Sequence, residues 1–354
     1  MCTRILNSLN PNFPITARNM DWSRPINVYL YQFPKGETKF GLSKQERDEL
    51  TNEQASLEWT SAYSSVASVM GDDHIGLGSA DGMNSEGLVV NALFDSDSSF
   101  ADEALHHQDS TPRLSVLRWA QFTLDSFANV NCALEYYRNS HILLISGVVP
   151  DGAETAREAK LHLSLSDSAG NSAILEIREG KLIIHSDSTY RVVTNQPDYD
   201  TQLKLDYYWQ YMWGKTEPKI KTPVNLAPGG VTSTQNFERA SYYLAMTDSA
   251  ASEDEALAQT RTMLGTCTTP VGFNSHHSEH GTSTRWSNLA NSINKTYYFI
   301  NQLTLTPVWL TIHKNIKDCK RVELVQVIDN KVKNWRLAGD LEGELVNCHD
   351  PLAY

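Results

Sequence analysis

Cysteine stands at position 2, directly after Met1. Once Met1 is removed, Cys2 carries a thiol and a free α-amine on one residue. In model compounds the thiol titrates near ~8.5 and the amine near ~7.7–8, so at neutral pH much of the amine is already neutral and can take the thiol's proton. One residue thus supplies a nucleophile and its base, the N-terminal form of that pairing. The stretch Thr16-Ala17-Arg18-Asn19-Met20-Asp21-Trp22 supplies what such a residue needs. A guanidinium at Arg18 favours an ionised sulfur, and a carboxylate at Asp21 orients the amine by accepting its hydrogen bonds. In a strand, residues three apart point to opposite faces. A bend or bulge near Met20 is therefore expected if Arg18 and Asp21 are both to reach Cys2.

Acyl transfer also needs donors for a developing oxyanion. Thr194-Asn195-Gln196-Pro197 places an amide side chain at the end of an apolar strand, stiffened by proline. Such a donor is worth about 3–4 kcal/mol in the transition state; the plainer reading is an Asn capping a turn before Pro. The glycines at 76, 78 and 82 imitate a dinucleotide loop, but the spacing is wrong and no helix is expected after them. Asp81 to Gly87 reads instead as a turn before the apolar strand Leu88–Phe94. His276, His277 and His280 lie in a Ser/Gly/Thr-rich loop without a carboxylate motif, which reads as solvated loop and not as a metal site.

The elements that must hold these residues alternate in kind. Period-two patterns at Thr3–Leu6, Ile15–Ala17 and Val28–Tyr31 read as a meander, and residues 36–56 as an exposed polar excursion. Helical spacing runs through Leu114, Leu117, Ala120, Leu124 and Phe127, with Thr111 as N-cap and Pro112 at the first helical position. Asn131 caps a second helix through Tyr137, on which Cys132 reads as a core residue. Strands return at Leu161–Leu165, Ala173–Ile177, Leu182–Ile184 and Val192–Thr194. The aromatic residues Tyr207, Tyr208, Trp209, Tyr211 and Trp213 suit an acyl-pocket wall or a helix packed on a sheet. A further helix opens near Asn236, and Thr296–Thr306, Val308–Ile312 and Arg321–Ile328 read as closing strands. Strands, helices and strands in this order suit an α+β fold. No linker stands out, so residues 1–354 read as a single domain.

Net charge is −12 with no basic stripe, which argues against nucleic acid and anionic membranes as partners. No run approaches the ~18–20 apolar residues of a membrane span. No secretory signal is read in the chain as written, which gives a cytoplasmic expectation, or a periplasmic one if a leader has been trimmed. Five cysteines at wide, irregular spacing suggest a fold that needs no disulfide.

Met1-Cys2-Thr3, the Ala17-Arg18-Asn19-Met20-Asp21-Trp22 segment, the Gly82-Met83-Asn84-Ser85-Glu86-Gly87-Leu88 strand entry and Thr194-Asn195-Gln196-Pro197 together resemble the choloylglycine hydrolase family of N-terminal-nucleophile amidases. Ala17 departs from the family's glycine. The resemblance implies a four-layer αββα sandwich of two stacked antiparallel sheets. It implies Cys2 as nucleophile, Arg18 and Asp21 beside it, and Asn195 with the Phe94 N–H as the oxyanion hole. Phe94, Met20 and Trp22 are implied as substrate-binding residues, and no metal or cofactor is called for. The family's late arginine falls on Asn236, leaving Arg239 one helical turn on as the candidate. Phe94 favours small-molecule substrates of penicillin V or N-acyl homoserine lactone type over conjugated bile salts. An inactive relative serving as a scaffold is the alternative from another class, and a homotetramer is implied by resemblance only.

Overall fold

The computed structural model describes the chain apart from residues 52–53, 73, 102–109, 274–281, 305, 325–326, 329–330, 333–336 and 354, with backbone alone for 327–328 and 331–332. The three histidines at 276, 277 and 280 fall outside the described residues. Two sheets dominate. The first runs in the order Val192–Thr194, Thr3–Asn7, Ile15–Trp22, Ser283–Asn291, Thr296–Asn301, Val308–Thr311 and Gly339–Asp340, antiparallel except for the last pair. The second runs Lys181–Ser186, Ser172–Arg178, Leu161–Ser166, Val89–Phe94, Gly76–Asn84, Ser65–Asp72, Val28–Phe33, Lys320–Glu323 and Val346–Asn347, antiparallel throughout.

The sheets meet face to face. Thr16 Oγ1 lies 2.6 Å from Ser166 Oγ, and Arg4 Nη2 donates to the Leu165 carbonyl at 3.1 Å across the gap. Helices Ser233–Met246 and Glu253–Gly265 cover the outer face of the first sheet, and Val116–Ser126 covers the second. The result is the expected αββα layering. The strand Ile15–Trp22 is buried from end to end because it has a sheet on one face and a helix on the other. A strand buried on both faces loses the usual apolar–polar alternation. Its polar residues must then find partners inside the protein.

Several local expectations are corrected. Pro112 opens a short strand, Pro112–Ser115, that pairs in parallel with Leu143–Ile145, so the helix begins at Val116 with Ser115 as its N-cap. Proline is tolerated as the first residue of a strand. The next helix is capped by Asn129, whose side chain accepts from Cys132 N at 3.0 Å. That helix buries Val130, Ala133, Leu134 and Tyr137, which turns Cys132 out to solvent. Within the polar 36–56 stretch, Lys39 is fully buried between Asp125 at 2.9 Å and Asp350 at 3.2 Å. Val28–Phe33 belongs to the second sheet, not to a meander with the first two strands. The aromatic segment forms the helix Tyr199–Met212, packed on the Ser233–Met246 helix. All five cysteines are free.

Candidate active site

Register places the thiol. Thr3 pairs with Asn19 and Arg4 with Arg18, so one step further Cys2 lies across from Met20 and Met1 across from Asp21. Paired residues in a sheet share a face. The thiol therefore projects between the sheets with Arg18 and Met20, while the N-terminal end turns toward Asp21 on the helical face. Cys2 offers sulfur to one side and nitrogen to the other, so residues on opposite faces of one strand serve it together. A bulge is present, but on the partner strand: the pairing slips between Thr284 and Trp286, across from Asp21 and Met20.

Arg18 is the hub of the inner face. Its Nη2 lies 3.5 Å from Cys2 Sγ and donates to the Ala92 carbonyl at 2.8 Å and to Met20 Sδ at 2.9 Å. Its Nη1 meets Asp81 Oδ2 at 2.8 Å, with both side chains buried. Burial alone would lower the guanidinium's pKa, but Cys2 and Asp81 outweigh it and hold the value above the ordinary one. Tyr297 donates its hydroxyl to the other Asp81 oxygen, and Ser68 Oγ lies 3.0 Å from that hydroxyl. On the outer face, Asp21 accepts from Thr284 Oγ1 at 2.6 Å and lies 3.2 Å from the Met1 ammonium. Burial pushes the Asp21 carboxyl up, although the ammonium and Thr284 pull against it.

Asn195 arrives from the opposite edge. After the hairpins of the second sheet, the chain crosses to the first, where Thr194 pairs with Thr3 and so sets Asn195 beside Cys2. Gln202 Nε2 fixes the segment by donating to the Thr194 carbonyl at 3.3 Å and the Pro197 carbonyl at 2.6 Å. The Cys2 N–H donates to Asn195 Oδ1, and Asn195 Nδ2 donates to the Phe94 carbonyl at 2.5 Å. A donor on one side and an acceptor on the other fix which way the amide points. The second Nδ2 hydrogen remains for another acceptor.

The Phe94 backbone faces the same place. Asp95 N donates to the Lys160 carbonyl at 2.9 Å, and bonding alternates along an antiparallel ladder. The N–H and C=O groups of Phe94 and Ala92 are thus turned away from the Leu161–Ser166 strand. The Ala92 carbonyl holds Arg18 and the Phe94 carbonyl holds Asn195.

Two cavities lie beside Cys2, which itself lines the inner one. The inner one is narrow, about 40 Å³, and apolar, lined by Cys2, Met20, Trp22, Met70, Phe94 and Leu161 among others. The outer one, about 260 Å³ and open, carries Met1, Asp21, Ser23, Arg157, Asn195 and Gln196. Trp22 and Phe94 line both, edge to face with ring centroids 5.8 Å apart. A larger depression of about 470 Å³ under the helical layer shares no residue with either.

Of the eight candidate residues, seven converge here and Arg239 does not. Its nitrogens donate to the carbonyls of Thr266 and Pro228, both at 2.7 Å, and to Asn236 Oδ1. It stitches the end of the Glu253–Gly265 helix to its own helix. Asp81 and Tyr297 were missed, Asp81 because Asp-Gly reads as turn. A buried arginine in the Arg18 strand was the signal that a carboxylate must face it. A second charged cluster was missed as well: Asp95, His162 and Glu176 stand close enough to hold a metal ion. Arg178, at 2.5 Å from Asp95 and 2.7 Å from Glu176, fills the place between the carboxylates.

A model of the linear amide C–N hydrolases, choloylglycine hydrolase family, matches residues 2–321. The chain belongs to this family. It is accordingly an amidohydrolase acting on linear amides. It is 33% identical over 328 residues to the penicillin V acylase of Pectobacterium atrosepticum, covering 88% of this chain and 81% of that one. Among solved structures, the penicillin V acylase from Agrobacterium tumefaciens superposes with a TM-score of 0.80 at 29% identity, covering 99% of this chain and 98% of that one. A variant of the conjugated bile acid hydrolase from Clostridium perfringens matches with a TM-score of 0.69 at 18% identity, over 92% of this chain and 97% of its own. That last likeness is one of fold.

Proposed function

We propose that this amidohydrolase is an acylase of penicillin V type, removing phenoxyacetyl and related apolar acyl groups from amines, with N-acyl homoserine lactones as further substrates. The observation that carries this reading is the position of Cys2 Sγ on an apolar cavity walled by Trp22 and Phe94. An aryl acyl group gains edge-to-face ring contacts there, worth about 0.5–1.5 kcal/mol per pair beyond area burial. Similarity to two penicillin V acylases supports it.

In this mechanism Met1 is removed first, by a separate peptidase or by autocatalytic cleavage of a leader. The freed Cys2 amine keeps the acceptor Asn195 Oδ1 and comes under the orienting charge of Asp21. The amine takes the thiol proton, and Sγ, beside Arg18, attacks the substrate carbonyl. The remaining Asn195 Nδ2 hydrogen and the Phe94 N–H hold the oxyanion. The Cys2 ammonium protonates the departing amine, leaving a thioester on Sγ. Water, deprotonated by the same amine, then hydrolyses the thioester and restores the thiol. A homo-oligomer belongs to the reading; the exposed side chains of Tyr207, Tyr208 and Leu226 are apolar surface for it to cover, and sedimentation measures it.

The test joins mass to turnover. Intact-mass measurement of active enzyme is expected to show a chain starting at Cys2, and Cys2→Ala is expected to lose all hydrolysis of phenoxyacetyl amides. Because Cys132 is exposed, alkylation should be done in a Cys132→Ser background, where activity is expected to fall with label on Cys2. A fully active preparation still carrying Met1 would overturn the mechanism.

A further inference from the structure

The Trp22–Phe94 pair divides the space around Cys2 into halves of different chemistry. The half behind it is apolar and suits an acyl group. The half in front is open and adds the polar side chains of Asp21, Ser23, Arg157, Asn195 and Gln196 to an apolar wall, and a scissile amide at Sγ with its acyl group behind the pair places its amine portion there. Arg157 lines this outer half. Its guanidinium carbon sits 5.1 Å from the centre of the Trp22 ring. Trp22 is itself pinned by its Nε1 donating to Asp151 Oδ2 at 2.8 Å, and the Arg157 backbone is held by Val149 N donating to the Arg157 carbonyl at 2.9 Å. Among the described residues no carboxylate pairs with Arg157. Asp21, which lines the same outer half, accepts from Thr284 and faces the terminal ammonium.

Resting on the acylase reading above, we infer that Arg157 determines specificity by binding an anionic group, a carboxylate in the first instance, on the amine half of the substrate. A guanidinium held over an indole by a cation–π contact still presents a planar fork that matches a carboxylate bidentately. The molecule as a whole carries −12, so its general field repels anions. A local cation lining the outer half is what admits them. Removing Met1, which lines the same half, enlarges the room for such a group. The preferred class is then amides of amino acids and of carboxylate-bearing amines such as the penicillin nucleus, ahead of amides of uncharged amines such as homoserine lactone.

Two substrates that share an acyl group isolate the effect: phenoxyacetyl-glycine, which is anionic, and phenoxyacetyl-glycinamide, which is neutral. The parent enzyme is expected to favour the anionic one about tenfold or more in kcat/KM, less so at high salt. In Arg157→Gln that ratio should collapse toward one through the KM of the anionic substrate, and Arg157→Lys should keep part of it. Calorimetry on a Cys2→Ala protein provides a second readout, with phenoxyacetyl-glycine binding tighter than its amide only while Arg157 is present. A ratio unchanged in Arg157→Gln, or no preference in the parent, would overturn the inference while leaving the acylase reading intact. Hydrolysis of neither substrate would overturn both.

Discussion

Arg18 and Arg239 are both buried arginines held by several hydrogen bonds, and they do different work. Arg18 lies on a central strand and shares its charge between a carboxylate, Asp81, and the sulfur of Cys2. Arg239 lies on a covering helix and donates to neutral oxygens, those of Thr266, Pro228 and Asn236. One guanidinium is an electrostatic part of the site; the other ties two helices together. What separates them is the layer each occupies. A side chain pointing between the sheets meets the reacting sulfur, and one in the helical layer meets helix ends.

Replacing Arg18 should produce the larger effect. Arg18→Gln leaves the Asp81 carboxylate buried without its cation, at a cost of about 3–5 kcal/mol, and removes the charge beside Sγ. Activity on phenoxyacetyl amides is expected to fall at least a hundredfold, with a lowered melting temperature. Arg18→Lys should recover stability more than activity, since a single ammonium cannot span Asp81, Ala92 and Cys2 as a fork does. Arg239→Gln is expected to destabilise by roughly 2–3 kcal/mol through unsatisfied carbonyls, yet to keep kcat/KM of the folded enzyme within a few-fold. A hundredfold loss there, without loss of folded protein, would break the contrast.

Asp21 sharpens the same distinction between charge used for chemistry and charge used for structure. Burial raises its carboxyl's pKa in the fold, so the folded state favours the protonated form. Its contribution to stability is complete below the ordinary carboxylate range and is lost as pH rises through the raised value. Asp21→Asn, neutral at every pH, should therefore melt no lower than the parent at pH 7. The same change should cut kcat about a hundredfold, the lower end of what a positioned acid–base group contributes. It should also remove an acid limb lying above the usual carboxylate pH. A variant both less stable and fully active at pH 7 would reverse the assignment.

The readable parts of the chain were those where one short segment carried several constraints at once. Arg18, Asp21 and Trp22 share a strand with Met20, and Asn195 precedes a proline at a strand end, so residue type and local order sufficed. What could not be read is what depends on contacts across the layers. Lys39 lies in a charged stretch whose local pattern says solvent, yet Asp125 and Asp350 neutralise it from distant positions. Asp81 precedes a glycine and looks like a turn until the strand Gly76–Asn84 lies opposite Arg18. Arg239 fits a helical spacing one turn past the expected place, and nothing local shows which layer its helix covers. The strand pair Pro112–Ser115 and Leu143–Ile145 is parallel and non-local, so the Thr-Pro start of the segment read as a helix cap.

Asp95 supplies the smallest and most specific test, because it carries structural charge next to the backbone that lines the site. Burial alone would raise its carboxyl's pKa, but His162 and Arg178 overcome this and hold it down at about 2. A depressed carboxylate stabilises the fold above its unfolded pKa near ~4, and that contribution drains away as pH falls from there to the folded value. The stake is roughly 2 kcal/mol. The parent and Asp95→Asn should thus differ most at pH 5–7 and converge as the pH drops toward 2. Asp95 also follows Phe94, and its N–H donates to Lys160, so the ladder that turns the Phe94 N–H toward Cys2 ends at this residue. Loosening the ion pairs should cost activity only a few-fold at neutral pH, since the backbone bond survives the substitution. Equal stability of parent and variant at pH 6 would mean that Arg178 contributes nothing there, and the cluster would then be a solvated surface pair.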